Sequence, residues 1–190
     1  IDGVGGLGNT LWESSDSSGV IIAGSNLRAS SINVKGEGGT SPLFDSSLNS
    51  FGVLLYDGTR LDTNSSSDDQ SNIFISNEEK FLSGNISIDG KGGEGTLGNG
   101  IYSTANVDSA GSINISGTGG FSDNHNLGVV TFGGDLKAEK QITIKGAGGQ
   151  GVDIYDGRGT RLEAMNLEAE EGIIIEGTGG GSTDPEGQDD

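Results

Sequence analysis

One eight-residue motif, I-x-I-x-G-x-G-G, constrains this chain more than anything else in it. It occurs as Ile32-Asn33-Val34-Lys35-Gly36-Glu37-Gly38-Gly39 and again from Ile86 to Gly93, Ile113 to Gly120, Ile142 to Gly149 and Ile173 to Gly180. The first glycine of each copy falls at 36, 90, 117, 146 and 177, at intervals of 54, 27, 29 and 31 residues. The 54-residue gap reads as two units, or as one unit with a large insertion. Residues 1–6 match the second half of the motif and the last copy ends just before the tail, so both ends fall at the same phase. That phase predicts a segment of a longer array, because a free-standing repeat domain would carry atypical capping units.

Two shorter patterns recur between the copies. A Gly-Val/Ile pair opens one at Gly19-Val20, Gly52-Val53, Gly100-Ile101, Gly128-Val129 and Gly151-Val152, and Leu27, Leu61, Val107, Leu136 and Leu167 open the other. Apolar residues two apart mean strands, since alternate side chains share a face. The glycine clusters between them are expected to form turns at positive φ. Three short strands in fixed order, repeated every 27–31 residues, describe the rungs of a parallel β-helix, and a flat sandwich does not explain that order. The inward set of one rung is expected to be Val129, Thr131, Leu136, Ala138, Ile142 and Ile144. Burying its four larger members yields about 10 kcal/mol. Ordering a rung costs several times more, at about 1–2 kcal/mol per residue, so rungs fold only when stacked. The expected fold is all-β, a parallel β-helix (solenoid) of about six rungs with loop insertions over residues 1–181, then an acidic tail or linker over 182–190.

Composition narrows the function classes. The chain has 37 Gly in 190 residues, which a helical bundle would not tolerate. Ten basic against 28 acidic residues give a net charge of −18, a field that repels nucleic acid and anionic lipid. There is no cysteine, hence no disulfide, thiolate zinc site or cysteine nucleophile. No apolar run approaches the roughly 20 residues of a transmembrane segment.

If Val53 and Leu55 point inward, Leu54 and Tyr56 point out. Carried through the copies, that rule predicts an outer column of Ala23, Tyr56, Thr104, Phe132 and Tyr155 beside one of Ile21, Leu54, Tyr102, Val130 and Asp153. Tyr56, Tyr102, Phe132 and Tyr155 then gather on one face with Arg60 and Arg161 close behind, a composition that suits stacking and hydrogen bonding to sugar rings. The plainer expectation is that insertions such as 40–50 and 64–80 fold back over the rings. The outward residues of the I-x-I strand, Asn33, Ser87, Asn114, Thr143 and Ile174, form a polar ladder without the regular threonines of an ice-binding face.

Calcium is the one cofactor the acidic excess suggests, but Gly-Gly-x-Gly-x-Asp occurs once, at Gly148–Asp153, and not as the repeated nonapeptide of calcium-binding β-rolls, no Asp-x-Asp-x-Asp-Gly loop occurs, and Asp68, Asp69, Asp123 and the tail read as solvated charge. A less favoured alternative is a polysaccharide lyase or glycoside hydrolase, since some secreted β-helices carry such activity with carboxylates and an arginine on an outer strand face, and it would need a constellation. Asp153, Asp156, Arg158, Arg161 and Glu163 supply the pieces of one, yet Asp57/Arg60 and Asp156/Arg161 read as one turn copied in two units, and an active site needs only one copy. No catalytic or metal-binding residue is assigned. His125 is expected in a surface loop, Trp12 as a lid over apolar surface, and the sequons at Asn64, Asn85 and Asn114 as matches by composition.

I-x-I-x-G-x-G-G, with Gly-Val-x-Φ and Leu-x-Ala, resembles the repeat region of filamentous-haemagglutinin-like bacterial exoproteins from Ile1 to Gly180, most typically at Ile113 to Gly120 and Ile173 to Gly180. The resemblance implies a long right-handed fibre, secreted by a partner transporter and displayed at the bacterial cell surface or extracellularly as an adhesin or filament. The insertions after Gly39 and Leu61 depart from the regular units. The expected function is a non-catalytic structural or adhesive shaft whose partners are neighbouring copies or further repeats of the same chain. The alternative is a module that binds host or cell-surface glycans through the aromatic face.

Overall fold

In the computed structural model, which describes residues 1–4, 17–39, 49–56, 58–63, 84–151 and 156–182, every element is a β-strand and every pairing is parallel. The chain is a parallel β-solenoid. Its first wall, the isoleucine sheet, stacks the I-x-I-x-G strands in register: Ile32, Ile86, Ile113, Ile142 and Ile173 form one column, and Gly36, Gly90, Gly117, Gly146 and Gly177 another. Gly3 lies against Gly36, so the opening residues are a partial copy of the motif. A valine sheet stacks Val20, Val53, Ile101, Val129 and Thr160. A leucine sheet stacks Leu27, Leu61, Val107, Leu136 and Leu167.

The repeat pattern gives no sign of a fourth wall, yet there is one. Glu94–Leu97, Phe121–His125, Gln150–Gly151 and Gly181–Ser182 form a short sheet between the isoleucine and valine sheets. Its strands share no apolar alternation and are held by backbone bonds between successive turns, such as Phe121 N–H to Gly93 O at 3.2 Å and Gln150 N–H to Gly120 O at 3.0 Å. Counted as turns with all four walls, the described residues make about four, not six rungs; six is the number of strands in the isoleucine sheet alone.

The inward set holds as expected. Val129, Ile142 and Ile144 are 0% exposed, and Thr131, Leu136 and Ala138 at most 3%. Strand 113–118 alternates buried and exposed residue by residue, with Gly117 the third inward position. That glycine explains the cross-section. A methyl on Gly117 would overlap the carbonyl of Gly128, and one on Gly128 would meet the backbone N–H of Ala147 and the carbonyl of Gly117. The same relation joins Gly90 to Gly100 and Gly146 to Gly159. Two glycine columns therefore let the isoleucine and valine sheets touch backbone to backbone. Just beyond, Gly120 N–H donates across its turn to Gly98 O at 2.6 Å, Gly149 to Asn126 O at 2.7 Å and Gly180 to Gly157 O at 2.6 Å. The pinch separates a large apolar lobe from a small one, where Ser122 and Asn126 are buried and Asn126 Nδ2 donates to Ser122 O and Gln150 O, both at 2.8 Å.

These glycines are therefore not the positive-φ turns that their clustering suggests. Positive φ occurs among the described residues at Gly24, Gly58, Gly133, Gly134, Gly172 and one non-glycine, Ala164. Gly24, Gly133 and Ala164 occupy the same corner, between valine-sheet and leucine-sheet strands, with φ of 56°, 73° and 52°. Ala164 accepts a conformation that costs an L-residue about 1–2 kcal/mol. Ala164→Gly is accordingly expected to raise stability by about 0.5–1 kcal/mol once the entropy of the added glycine is counted, read as an upward shift of the melting transition.

Candidate functional site

The outer face of the valine sheet carries the aromatic residues, with two corrections. The fifth copy of its strand is Gly159-Thr160-Arg161-Leu162, not Gly151 to Ile154: Val129 N–H bonds Gly159 O at 2.9 Å, and Val129 to Phe132 pair with Thr160 to Glu163. The outer columns therefore end on Arg161, beyond Ile21, Leu54, Tyr102 and Val130, and on Glu163 beside Phe132. Asp153 and Tyr155 lie outside the described residues, as do Trp12, Asp57, Asn64, Asp68, Asp69 and the insertions at 40–48 and 64–83.

The structure brings together Tyr102, Phe132 and Arg161 of the expected group, and adds Phe51. The rings of Phe51 and Tyr102 lie 5.7 Å apart at 43°, those of Tyr102 and Phe132 5.7 Å apart at 45°, and the Arg161 guanidinium sits 5.1 Å over Phe132. Tilted contacts of this kind use the electropositive ring edge against the neighbouring face, and the guanidinium covers the last face. Phe51 is 6% exposed and Val130, although outward-facing, is 2% exposed, whereas Tyr102 and Phe132 are half-buried. Tyr56 is half-buried at the end of its strand.

The two arginines are not equivalent. Arg60 belongs to the leucine sheet, beside Asn26 and Asn106. Its Nη2 lies 3.6 Å from the buried Asp62, which Arg28 approaches at 3.4 Å, and 3.9 Å from Asp108. Arg161 bonds Glu163 through Nε at 2.6 Å and the buried Asp156 through Nη1 at 3.5 Å, and Arg158 Nε reaches Asp156 at 3.0 Å. The Glu163 carboxylate holds Arg161 even more firmly protonated than usual. A guanidinium stacked on a ring and shared between two carboxylates has little charge left for an anionic ligand. Glu163 is exposed beside it as a hydrogen-bond acceptor.

The polar ladder is in register through Asn33, Ser87, Asn114, Thr143 and Ile174, and Asn114 lies on the exposed outer side of its strand. Beside it, charges of opposite sign meet across turns, as in Lys91 Nζ to Glu37 Oε1 at 2.6 Å and Lys145 Nζ to Glu176 Oε2 at 2.9 Å. The Lys91 hydrogen bond, then its charge, holds the Glu37 carboxyl below the ordinary glutamate range, and Lys35 adds to this. Because the folded value is depressed, the stabilisation is present above the unfolded glutamate value and is lost as pH falls through the folded one. Lys91→Ala is expected to move the Glu37 midpoint up toward that of a free glutamate, read by carboxyl-carbon NMR titration. His125 closes a short-sheet strand, half-buried and bridged to Leu97 and Asp156, rather than lying in a loop. Among the described residues no group of three or more His, Asp or Glu could hold a metal ion, and no helix is long and apolar enough to cross a membrane.

The architecture places the chain among parallel β-solenoids. Comparison with known proteins adds no assignment: no family model, curated protein or solved structure matches it.

Proposed function

We propose that this chain is a length of non-catalytic structural shaft, part of a secreted, surface-displayed bacterial fibre of the filamentous-haemagglutinin-like kind. The observation that carries the reading is the in-register repetition of the isoleucine, valine and leucine walls, with glycine columns and apolar columns running the length of the described stack. Such a stack adds length turn by turn. The Lys91–Glu37 and Lys145–Glu176 ion pairs support the same reading, because they join register partners of successive turns. Adhesion would then reside in loops or elsewhere along the fibre.

The glycan alternative rests on Tyr102, Phe132 and Arg161, whose faces are engaged with one another. The test is the denatured mass of the polypeptide from its natural source, together with glycan-array binding of the chain and its Tyr102→Ala variant. A mass far above 19.2 kDa, with no glycan signal that Tyr102→Ala removes, is expected. A source polypeptide near that mass would overturn the shaft, and a signal lost in Tyr102→Ala would transfer the function to the aromatic row.

A further inference from the structure

The two ends of the stack differ. At the N-terminal end the inward residues Val20, Ile22, Ile32 and Val34 are at most 8% exposed, while Leu27 is partly buried and Ile1, ahead of the first strand, and the outward Ile21 are 60% and 48% exposed. At the other end Ile173, Ile174 and Ile175 are 42%, 40% and 48% exposed, and Leu162 and Leu167 are only partly buried. Their strands are the last in their sheets among the described residues, so a row of backbone donors and acceptors accompanies the open core. Ile174 also stands where the other turns carry Asn33, Ser87, Asn114 and Thr143, which spreads the apolar edge onto the outer face.

Resting on the shaft reading, we propose that this end is a docking edge for one further solenoid turn of defined chemistry. That turn is a parallel strand with branched aliphatic residues over Ile173 and Ile175, a lysine or arginine over Glu176 and a glycine over Gly177, and with a second base over Glu168. The charge rule comes from the stack itself. Register partners Arg28/Asp62, Glu37/Lys91, Lys137/Glu168 and Lys145/Glu176 are all of opposite sign and in contact. Asp62 and Asp108 are like-charged partners, and Arg60 reaches both. Glu168 and Glu176 end their columns and call for bases. A second copy stacked head to tail breaks the rule, because Asp2 heads the column that ends on Glu176. It also meets an end whose core is already buried.

The probe is a synthetic peptide of residues 128–151, a turn that carries Ile142, Ile144, Lys145 and Gly146 in the required order. It is added to the full chain and followed by amide hydrogen exchange. The outward-pointing amides of Gly172–Thr178 are expected to gain at least tenfold protection. A Lys145→Glu peptide is expected to bind about two- to fivefold more weakly, the worth of an exposed ion pair. A Glu176→Lys chain, checked by its circular dichroism, is expected to reverse that preference. No protection at millimolar peptide, equal binding of both peptides, or edge amides already protected by self-association of the chain would each overturn the proposal. A large source polypeptide with no peptide binding sinks this inference alone, whereas binding with a small source polypeptide sinks the shaft and leaves the edge.

Discussion

Gly117→Ala is expected to destabilise the chain by about 3 kcal/mol or more, at or beyond the upper end of ordinary overpacking. The added methyl meets the Gly128 carbonyl, which belongs to backbone and cannot rotate away as a side chain would. Gly128 is itself pressed against Ala147 and Gly159 of the next turn, so relief requires the isoleucine and valine sheets to part over more than one turn. Gly58 is the natural control for alanine's intrinsic effect, since a methyl there meets nothing within 4 Å, although its φ of 74° carries a conformational cost of its own. Chemical denaturation of the three proteins reads the difference. A loss at Gly117 no larger than at Gly58 would mean that the glycine columns do not face one another.

The second large effect is expected at Ile113. This side chain is 0% exposed, stacked between Ile86 and Ile142, and its neighbours in the column are equally buried. Ile113→Ala should cost about 2–5 kcal/mol, the transfer term plus the cavity left in a stack whose turns cannot collapse independently. Asn114, one residue along and outward-facing, should tolerate alanine within about 0.5 kcal/mol. The contrast between adjacent positions is a direct reading of the period-two alternation.

That alternation is why so much of the fold is legible in the residues themselves. In a strand with one buried face, I-x-I fixes which residues point inward, and repetition fixes which strands are neighbours. The motif's glycine reads as a turn by its type, although its position carries the true answer. In I-x-I-x-G the glycine is the third inward residue, and a missing side chain on an inward face means that another wall comes close. The short sheet is illegible because Glu94–Leu97 and Gln150–Gly151 have no apolar pattern; backbone pairing holds them, and backbone pairing leaves no mark on residue type.

The candidate site shows the same division. Alternation puts Tyr102 and Phe132 on the correct face because their strands repeat cleanly. It starts the fifth copy at Gly151 instead of Gly159 because the two glycines compete for one position. The spacing decides between them: Gly128 to Gly159 is 31 residues, equal to the step from Gly146 to Gly177. Phe51 cannot be found from alternation at all. It precedes its strand and reaches Tyr102 across turns, a contact that depends on the path of the connection.

The chain has no cysteine, so engineered pairs report register against no background. Asn114 and Thr143 are register partners on the exposed face of the isoleucine sheet. Neighbouring strands place such Cα atoms about 4.8 Å apart, within disulfide reach, whereas a two-residue offset takes them to about 8 Å, beyond it. Under mild oxidation the Asn114→Cys/Thr143→Cys protein is expected to form an intramolecular disulfide in good yield, and Ser116→Cys/Thr143→Cys is expected to remain reduced. Oxidation of the 116/143 pair in preference to 114/143 would contradict the stacked register on which every other statement about this chain depends.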